Sequence, residues 1–482
     1  MIRLQITDNQ QENNAKSIVD CVEKKEDFDL EKVKSDLKEI ANVKIGKKVE
    51  DNPNLLVFPH GLEVYGDKIG EQSIIGLHDD KISTGNIMGF VGYNETQITI
   101  KSRFANGDDY FLHYMLQKVF AINLFDLKHD TSAERIFDFL FYLFPHFLRK
   151  AVAQGVFKKY RRFEHNDANI RGPIDVSRHI RQNIPFRGTV AYTTREHTYD
   201  NELTQLVRHT IEFIRSKEQG QAILNNDADT KTAVSQIVMA TPTYNARERA
   251  KIVSQNLRPV RHPYFSAYTD LQRLCLQILR HEELKYGRQK DQIYGILFDG
   301  AWLWEEYLAG VLKKCGYTHA ENHTGKNPIT LYNNNPRYPD YYKCKQIKDF
   351  KYGDVIPDEN DVLDAKYKML DFNSAARDDI HQIITYMHIL PSKRTGLIYP
   401  SKISTIPKEF NVYGMGGTIR IIGVNVNHQA IDYKSYVSVM MNVESEFQRR
   451  VSAANGTLGK MSPTTPRAVC ATQSVANYVL PL

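Results

Sequence analysis

Cysteine is scarce in this sequence, and the five that occur are widely scattered. They stand at positions 21, 275, 315, 344 and 470, without a Cys-x-x-Cys pair. This pattern argues against a zinc cluster or a disulfide framework, and favours reduced thiols in a cytoplasm. No uninterrupted apolar run approaches about 18 residues, so we expect no membrane-spanning helix. Residues 1–8 lack the basic and apolar segments of a secretory signal, so we expect none.

The sequence also lacks a phosphate-binding loop. Such a loop needs Gly-x-x-x-x-Gly-Lys followed by Ser or Thr, whose backbone and side chains hold the phosphates. The two Gly-Lys pairs, Gly325-Lys326 and Gly459-Lys460, have neither the leading glycine nor the hydroxyl. We therefore expect that this chain does not hydrolyse nucleotides by itself.

Neither sign of charge dominates, since 63 Lys and Arg stand against 57 Asp and Glu. Hydrophobic residues at 41% and charged residues at 25% are ordinary for a soluble protein, and 482 residues allow several domains. The patterns predict a multidomain α+β fold. We divide it into a β-rich N-terminal region (1–105), a mainly helical domain (106–290), an α/β domain (291–445) and a poorly structured tail (446–482).

The most informative motif is a Pro-Asp followed by an Asp-x-Lys. Asp340 ends Arg337-Tyr338-Pro339-Asp340, and Asp364 and Lys366 lie in the strand-like run Val362–Lys368. Alternation along a strand places Asp364 and Lys366 on one face. Asp-x-Lys alone is weak, because it also occurs at Asp36, Asp126 and Asp229, where a surface role is the simpler interpretation. At Asp364 the apolar neighbours make an unpaired buried carboxylate costly, which favours a metal or cation partner.

Two predicted helices flank this motif. The first begins after the candidate N-cap Asp299 and carries apolar residues at helical spacing, with Glu305 on the rim of the apolar stripe and Glu306 pointing away toward solvent. The second follows the Asp-x-Lys strand, and its Gln382 and Tyr386 are four residues apart and share a face. The order helix, Asp, Asp-x-Lys, helix is more specific than any of its parts.

With these residues, the chain resembles the McrC family, the nuclease subunits of McrBC-type and LlaJI-type restriction systems. The resemblance spans roughly residues 85–400. It is carried by Leu303-Trp304-Glu305, Tyr338-Pro339-Asp340, Leu363–Lys368 and Gln382 with Tyr386, and by a middle stretch from Asn169 to Val176 and from Thr194 to Glu202.

The resemblance implies a PD-(D/E)xK restriction-endonuclease-like domain in residues 291–445 and Mg²⁺-dependent cleavage of double-stranded DNA. Asp340, Asp364 and Glu305, with the Ala365 carbonyl, are the expected metal ligands. Lys366 would position the attacking water, and Gln382 and Tyr386 would align the DNA backbone. Asp358, in a second Pro-Asp within an expected hairpin turn at 358–361, is the alternative to Asp340.

The resemblance further implies a hetero-oligomer with an AAA+ GTPase partner, onto which residues 1–105 would dock. Two other functions remain open. One is a repair or recombination nuclease of the same core without a restriction partner, and the other is a catalytically inert DNA-binding assembly subunit.

A basic stretch lies between Phe147 and Arg187, where ten Lys and Arg stand against three acids. Cations alternate with aromatic residues from Phe157 to Phe163, which suits contacts with phosphates and bases. The candidate DNA-binding residues are Lys158, Lys159, Arg161, Arg162 and Arg171. A solvated basic face, or pairing with acids elsewhere in the fold, is the alternative.

Overall fold

The computed structural model describes residues 2–23, 28–45, 55–59, 73–122, 124, 133–285, 293–321, 325–330, 335–344, 360–369, 377–404, 407–414 and 416–452. The strands within these ranges are β1 (Ile2–Thr7), β2 (Lys16–Ser17), β3 (Leu55–Phe58), β4 (Ile75–His78), β5 (Lys81–Thr84), β6 (Ile87–Tyr93), β7 (Thr96–Lys101), β8 (Lys159–Asp167), β9 (Val190–Thr198), β10 (Ile293–Asp299), β11 (Thr318–His319), β12 (Ile329–Thr330), β13 (Pro336–Arg337), β14 (Tyr341–Lys343), β15 (Asp361–Ala365), β16 (Arg394–Ser401), β17 (Lys408–Asn411) and β18 (Thr418–Asn425).

The helices of the same ranges are α1 (Ile18–Cys21), α2 (Leu30–Ala41), α3 (Tyr110–Phe120), α4 (Ala133–Val152), α5 (Val176–Asn183), α6 (Glu202–Arg215), α7 (Gly220–Leu224), α8 (Ala228–Ala240), α9 (Arg249–Gln255), α10 (Ala267–Lys285), α11 (Gly300–Lys313), α12 (Arg377–Ile389) and α13 (Tyr433–Ser452). None of these helices is long and apolar enough to cross a membrane.

A five-stranded sheet in the order β1-β7-β6-β10-β3 organises the N-terminal region. Helix α2 begins at the N-cap Asp29 and buries Val33, Leu37 and Ile40 in the core beside this sheet. Strand β10 comes from much later in the chain, yet it pairs with β6 antiparallel and with β3 in parallel. The sheet is therefore completed by a strand that follows the helical region.

Strand β10 leads directly into α11, the helix that carries Glu305. Asp299 ends the strand and caps the helix, because its side chain accepts a hydrogen bond from the Ala301 amide at 2.9 Å. The predicted N-cap is confirmed. Trp304, Tyr307 and Leu308 are buried in the largest hydrophobic core, as their helical spacing predicts.

The stretch between the two sheets is mostly helical, but Lys159, Arg161 and Arg162 of the basic stretch lie on a strand. Strands β8 and β9 form a two-stranded antiparallel ribbon, separate from the larger sheets. Exposed and half-buried side chains alternate along β8, as expected for a strand with one partly covered face. Helix α5 packs beside this ribbon, where its Arg178 donates to the carbonyl groups of His165 and Tyr192.

A six-stranded sheet in the order β11-β14-β15-β16-β18-β17 forms the C-terminal region. Strands β15, β16 and β18 are parallel, and β14 joins β15 antiparallel. All residues of β15 and β16 are buried, which is typical of parallel strands covered on both faces. Helix α12 connects β15 to β16, so the Asp-x-Lys strand and the Gln382 helix are neighbours in the chain and in space.

The predicted boundary of the tail at residue 446 is wrong for its first residues. Helix α13 continues to Ser452, and Phe447 and Val451 are buried in the main core. Apolar residues at helical spacing extend the amphipathic face past the predicted boundary. Residues 453–482 lie outside the described part of the chain.

Candidate active site

The pairing of β14 with β15 places the two aspartates of the motif side by side. Tyr341 is opposite Leu363 in the antiparallel register, so Asp340, just before β14, lies beside the end of β15. The backbone amide of Ala365 donates to Oδ2 of Asp340 at 2.6 Å. This hydrogen bond joins the start of β14 to the end of β15.

Asp364 is completely buried at the end of β15. Neither of its carboxylate oxygens has a well-aligned hydrogen bond within the described part of the chain, although Oδ2 lies 2.6 Å from Nζ of Lys366. Strand β15 ends at Ala365, yet Lys366 continues the alternation and lies on the same side as Asp364. A buried carboxylate with such incomplete pairing is costly, and a cation would relieve that cost.

Helix α12 contributes Gln382 and Tyr386 to the site. Nζ of Lys366 donates to Oε1 of Gln382 at 3.0 Å, and Nε2 of Gln382 donates to the Tyr386 hydroxyl at 3.2 Å. The Tyr386 hydroxyl in turn donates to the Tyr338 carbonyl at 3.4 Å. The four-residue spacing of the sequence therefore becomes a hydrogen-bonded chain from the ammonium to the Pro-Asp segment.

Helix α11 brings Glu305 to the same site. Its backbone carbonyl accepts a hydrogen bond from the Tyr341 hydroxyl at 2.5 Å, which ties α11 to β14. Burial and the charge of Asp340 raise the pKa of Glu305 well above its ordinary value. The six predicted site residues, from four separate segments, thus meet in one place.

The electrostatics of this site favour a bound cation. Burial and the charge of Asp364 raise the pKa of Asp340 to about 8, and burial also raises the pKa of Asp364. Burial lowers the pKa of Lys366, but the charges of Asp364 and Asp340 outweigh it and raise that pKa above its ordinary value. One ammonium thus faces more carboxylates than it can neutralise.

Within the described ranges, no three His, Cys, Asp or Glu side chains form a group arranged to hold a metal ion. The predicted ligands Asp340, Asp364 and Glu305 are therefore near one another without forming a closed three-carboxylate cluster. Their chemistry still fits a hard divalent cation, because such ions take oxygen ligands and Asp364 presents two buried oxygens with incomplete pairing.

Two acidic residues near the site have roles that the sequence analysis did not predict. Asp379 is buried, lies 4.0 Å from Nζ of Lys366 and binds Lys368 at 2.9 Å. It stands three residues before Gln382 on α12, and this spacing could have indicated a shared face. The expectation for Glu306 is wrong. It is half-buried, 3.9 Å from Nε2 of His319, whose Nδ1 lies 2.8 Å from the Asp340 carbonyl oxygen.

The predicted hairpin turn at 358–361 is wrong at its end. Asp361 is a completely buried strand residue, and it forms an ion pair with Arg420 on β18 and accepts from the Tyr317 hydroxyl at 2.6 Å. Asp358 lies outside the described residues. The structure thus places Asp340 in the site, whereas the position of its alternative stays open.

The candidate DNA-binding residues lie on or next to the β8–β9 ribbon, within the region predicted to be mainly helical. Most have a local partner. Nζ of Lys158 lies 4.3 Å above the Tyr199 ring, and Nζ of Lys159 lies 3.2 Å from Glu202. Pairing with an acid elsewhere in the fold, which the sequence left open, therefore occurs for Lys159, whereas Lys158 lies over an aromatic ring.

The arginines of the ribbon differ in how firmly they are held. Arg161 donates to the Asp200 carbonyl at 2.8 Å, and Arg171 donates to the Tyr192 hydroxyl at 3.3 Å. Among the described residues, the one ion pair of Arg162 is with Asp175 at 3.7 Å, and the Arg162 side chain is 67% exposed. Arg162 is consequently the residue of the set that is best able to contact another molecule.

The segment that contains the site matches a family model described as "McrBC 5-methylcytosine restriction system component", over residues 82–400. Two solved structures are similar to this chain. One is a refined half-complex from a tetradecameric assembly of Thermococcus gammatolerans McrB AAA+ hexamers with bound McrC, with 17% identity, 92% of this chain and 100% of that chain covered, and a TM-score of 0.46. The other is the cryo-EM structure of the Thermococcus gammatolerans McrBC complex, with 15% identity, 66% and 89% covered, and a TM-score of 0.33. A comparison with curated proteins found no match.

Proposed function

The chain belongs to the family of McrBC 5-methylcytosine restriction system components, as its motifs predicted, and we propose that it is the DNA endonuclease subunit of such a system. The observation that supports this most is the meeting of Asp340, Asp364, Lys366 and Gln382 at the end of β15. Two carboxylates and a neighbouring ammonium, partly buried, are what hydrolysis of a phosphodiester with a divalent cation requires. The site would have a PD-(D/E)xK arrangement.

Asp340 and Asp364 would hold Mg²⁺, with Glu305 and the Ala365 carbonyl as further oxygen ligands. When bound, the cation supplies Lewis acidity toward the scissile phosphate and lowers the pKa of water. Lys366 would hold the attacking water and offset the negative charge that develops on the phosphate in the transition state. Gln382 orients the ammonium through its 3.0 Å hydrogen bond, and Tyr386 orients Gln382.

We predict that cleavage at low Mg²⁺ rises with pH through about pH 8. The pKa of Asp340 is raised to about 8 by burial and by Asp364, so this carboxyl is protonated at lower pH and must lose its proton to bind a cation. Higher Mg²⁺ competes better with the proton and should move the rise to lower pH. Initial rates of plasmid cleavage measured against pH at two Mg²⁺ concentrations test this. A pH profile that Mg²⁺ does not shift would contradict it.

We also propose that the subunit acts in a hetero-oligomer with an AAA+ GTPase. The sequence has the groups for hydrolysis of DNA but lacks a phosphate-binding loop, so nucleotide-driven delivery of DNA needs another subunit. The family resemblance supports the same division of labour. Weak or no cleavage by the isolated subunit, and strong cleavage after addition of the GTPase from the same system, are the expected results.

The β8–β9 ribbon is proposed to contact the DNA backbone in the assembled complex. Arg162→Ala should weaken DNA binding and reduce the slope of log affinity against log salt by about one. The slope falls because binding releases about one counterion fewer for each phosphate contact that is lost. Lys251→Ala is the matched control, since this cation is 61% exposed and ion-paired with Glu248 but lies on α9, outside the ribbon. Fluorescence anisotropy at several salt concentrations measures both slopes. An unchanged slope for Arg162→Ala would assign this residue to a solvated face.

A further inference from the structure

Tyr367, the residue after Lys366, is buried on the opposite side from the candidate active site. It is 3% exposed and packs against the N-terminal region. Its hydroxyl oxygen lies 2.8 Å from Oγ of Ser102 and 3.3 Å from Sδ of Met88, to which it donates. With Ser102 as donor to Tyr367, both contacts are satisfied at once. The hydroxyl thus joins the end of the Asp-x-Lys segment to residues from β6 and from the end of β7.

The Tyr367 ring is held as closely as its hydroxyl. The guanidinium of Arg103 lies 4.7 Å from the ring centroid, at a distance typical of a cation–π contact. Phe104 meets the ring edge-on at 5.3 Å. On another side, a Cβ added to Gly300 would lie only 2.7 Å from the ring. A larger residue at position 300 could not be accommodated without a shift of Tyr367.

Arg103 is itself fixed to the first strand of the protein. Asp8, just after β1, lies 2.8 Å from Nη2 of Arg103, and it also accepts from the Nε and backbone N–H groups of Arg103 at 3.0 and 2.5 Å. Both partners of this ion pair are nearly inaccessible to solvent. A continuous set of contacts therefore runs from β1 through Arg103 to Tyr367.

These contacts bear on Lys366 through the geometry of an extended chain. Successive side chains of such a chain project to opposite sides, so anchoring Tyr367 toward the N-terminal sheet directs Lys366 toward Asp364. The backbone of Lys366 is also fixed, because its amide donates to the Ile398 carbonyl at 2.8 Å. The ammonium then needs only its own four-carbon stem to reach Asp364 and Gln382.

We propose that Tyr367 is a positioning residue, through which the N-terminal sheet holds Lys366 at the cleavage site. The inference rests on the proposed nuclease function. It adds that cleavage depends on the N-terminal sheet, which the nuclease function alone does not require. It makes the rate of the chemical step sensitive to the N-terminal sheet, although that sheet contributes no side chain to the set Asp340, Asp364, Lys366 and Gln382.

The test compares Tyr367→Phe with Ser102→Ala and with the double variant, each in the full chain assembled with its GTPase partner. Tyr367→Phe keeps the ring and removes only the hydroxyl. We expect kcat for DNA cleavage to fall roughly tenfold with KM unchanged, since small displacements of a catalytic group cost one to two orders of magnitude. The double variant should be no slower than the slower single variant, because both changes remove one contact.

Tyr268→Phe is the matched control, since its buried hydroxyl donates to the Gly155 carbonyl in the helical region at 2.9 Å. Its kcat should equal that of the wild type. Gly300→Ala, which pushes on the ring, should lower kcat as Tyr367→Phe does. If Tyr367→Phe lowers only the melting temperature, or if its effect and that of Ser102→Ala simply add, Tyr367 is a packing residue and the proposal is wrong.

A second measurement does not depend on cleavage. The rate at which an amine-reactive reagent modifies Lys366 can be followed by mass spectrometry, and the side chain is 17% exposed in the native fold. Modification should accelerate in Tyr367→Phe and Ser102→Ala relative to Tyr268→Phe. If the wild-type complex does not cut DNA, the proposed function fails, and this labelling result alone decides on the positioning role. Equal labelling in all variants would overturn it.

Discussion

Asp364→Asn is expected to abolish DNA cleavage and to leave the protein at least as stable as the wild type. The amide keeps the shape of the side chain but removes the charge that would hold the cation. A loss of several kcal/mol of transition-state stabilisation corresponds to roughly 1,000-fold in rate. The fold should not suffer, because the wild-type carboxylate is completely buried without a well-aligned hydrogen bond to any described residue, and burial raises its pKa. Plasmid cleavage by the assembled complex and thermal unfolding measure the two effects.

The sign of the stability effect follows from that pKa. A carboxyl whose pKa is higher in the folded than in the unfolded state favours folding when it is protonated, and this contribution is lost as the pH rises through the folded-state pKa. Once ionised, Asp364 therefore costs stability, which a neutral amide recovers. Wild-type cleavage by Asp364→Asn would exclude this strand as the nuclease site.

Asp361→Asn is the matched control on the same strand. Asp361 is equally buried, but it is paired with Arg420 and bonded to Tyr317. Breaking a buried ion pair costs about 3–5 kcal/mol, because the remaining charge has no partner. This variant should melt at a lower temperature yet keep its cleavage rate per folded molecule. The two variants together distinguish Asp364, whose carboxylate is needed for cleavage, from Asp361, whose carboxylate stabilises the fold.

Lys366→Met is expected to stop DNA cleavage by the complex while the partner continues to hydrolyse GTP. Methionine retains the apolar stem but lacks the ammonium that lies 2.6 Å from Asp364 and 3.0 Å from Gln382. Loss of one electrostatic stabiliser of a transition state lowers kcat by about 100- to 1,000-fold. Cleavage and GTP hydrolysis measured on one preparation test the separation of the two activities.

Lys368→Met provides the control for Lys366→Met. Lys368 is two residues away and pairs with Asp379, but its side chain is 52% exposed. The half-exposed ammonium is screened by solvent, so its loss should leave both activities near the wild-type level. If Lys366→Met abolishes GTP hydrolysis in a complex that remains assembled, the proposed division of labour is wrong.

The parts of the site that the sequence predicted are those carried by local patterns. Helical spacing placed Glu305 on the rim of α11, and the four-residue interval joined Gln382 to Tyr386. Strand alternation put Asp364 and Lys366 on one side. Each of these relations involves only a few consecutive residues, so it does not depend on tertiary contacts with the rest of the chain.

The parts that the sequence did not predict depend on partners far along the chain. Helical spacing on α11 alone predicts Glu306 in solvent, whereas in the fold it is half-buried, 3.9 Å from Nε2 of His319. The residues at 358–361 predict a turn, because the partner that pairs with Asp361 in the strand, Arg420, is far away in sequence. The basic stretch contains few of the β-branched residues that are typical of strands. Its strand β8 is stabilised by pairing with β9. Such pairings are tertiary, and no local pattern encodes them.

The late arrival of β10 in the N-terminal sheet has a consequence for synthesis of the protein on the ribosome. Tyr93 pairs with Ile293, which is translated 200 residues later. At roughly 5–20 residues per second, the other four strands of this sheet are made about 10–40 s or more before β10. During that time the apolar residues of β3, all buried in the finished fold, have no strand beside them. A nascent chain with such an open edge is a natural client for a ribosome-associated chaperone, and slow codons before residue 293 would lengthen its exposure.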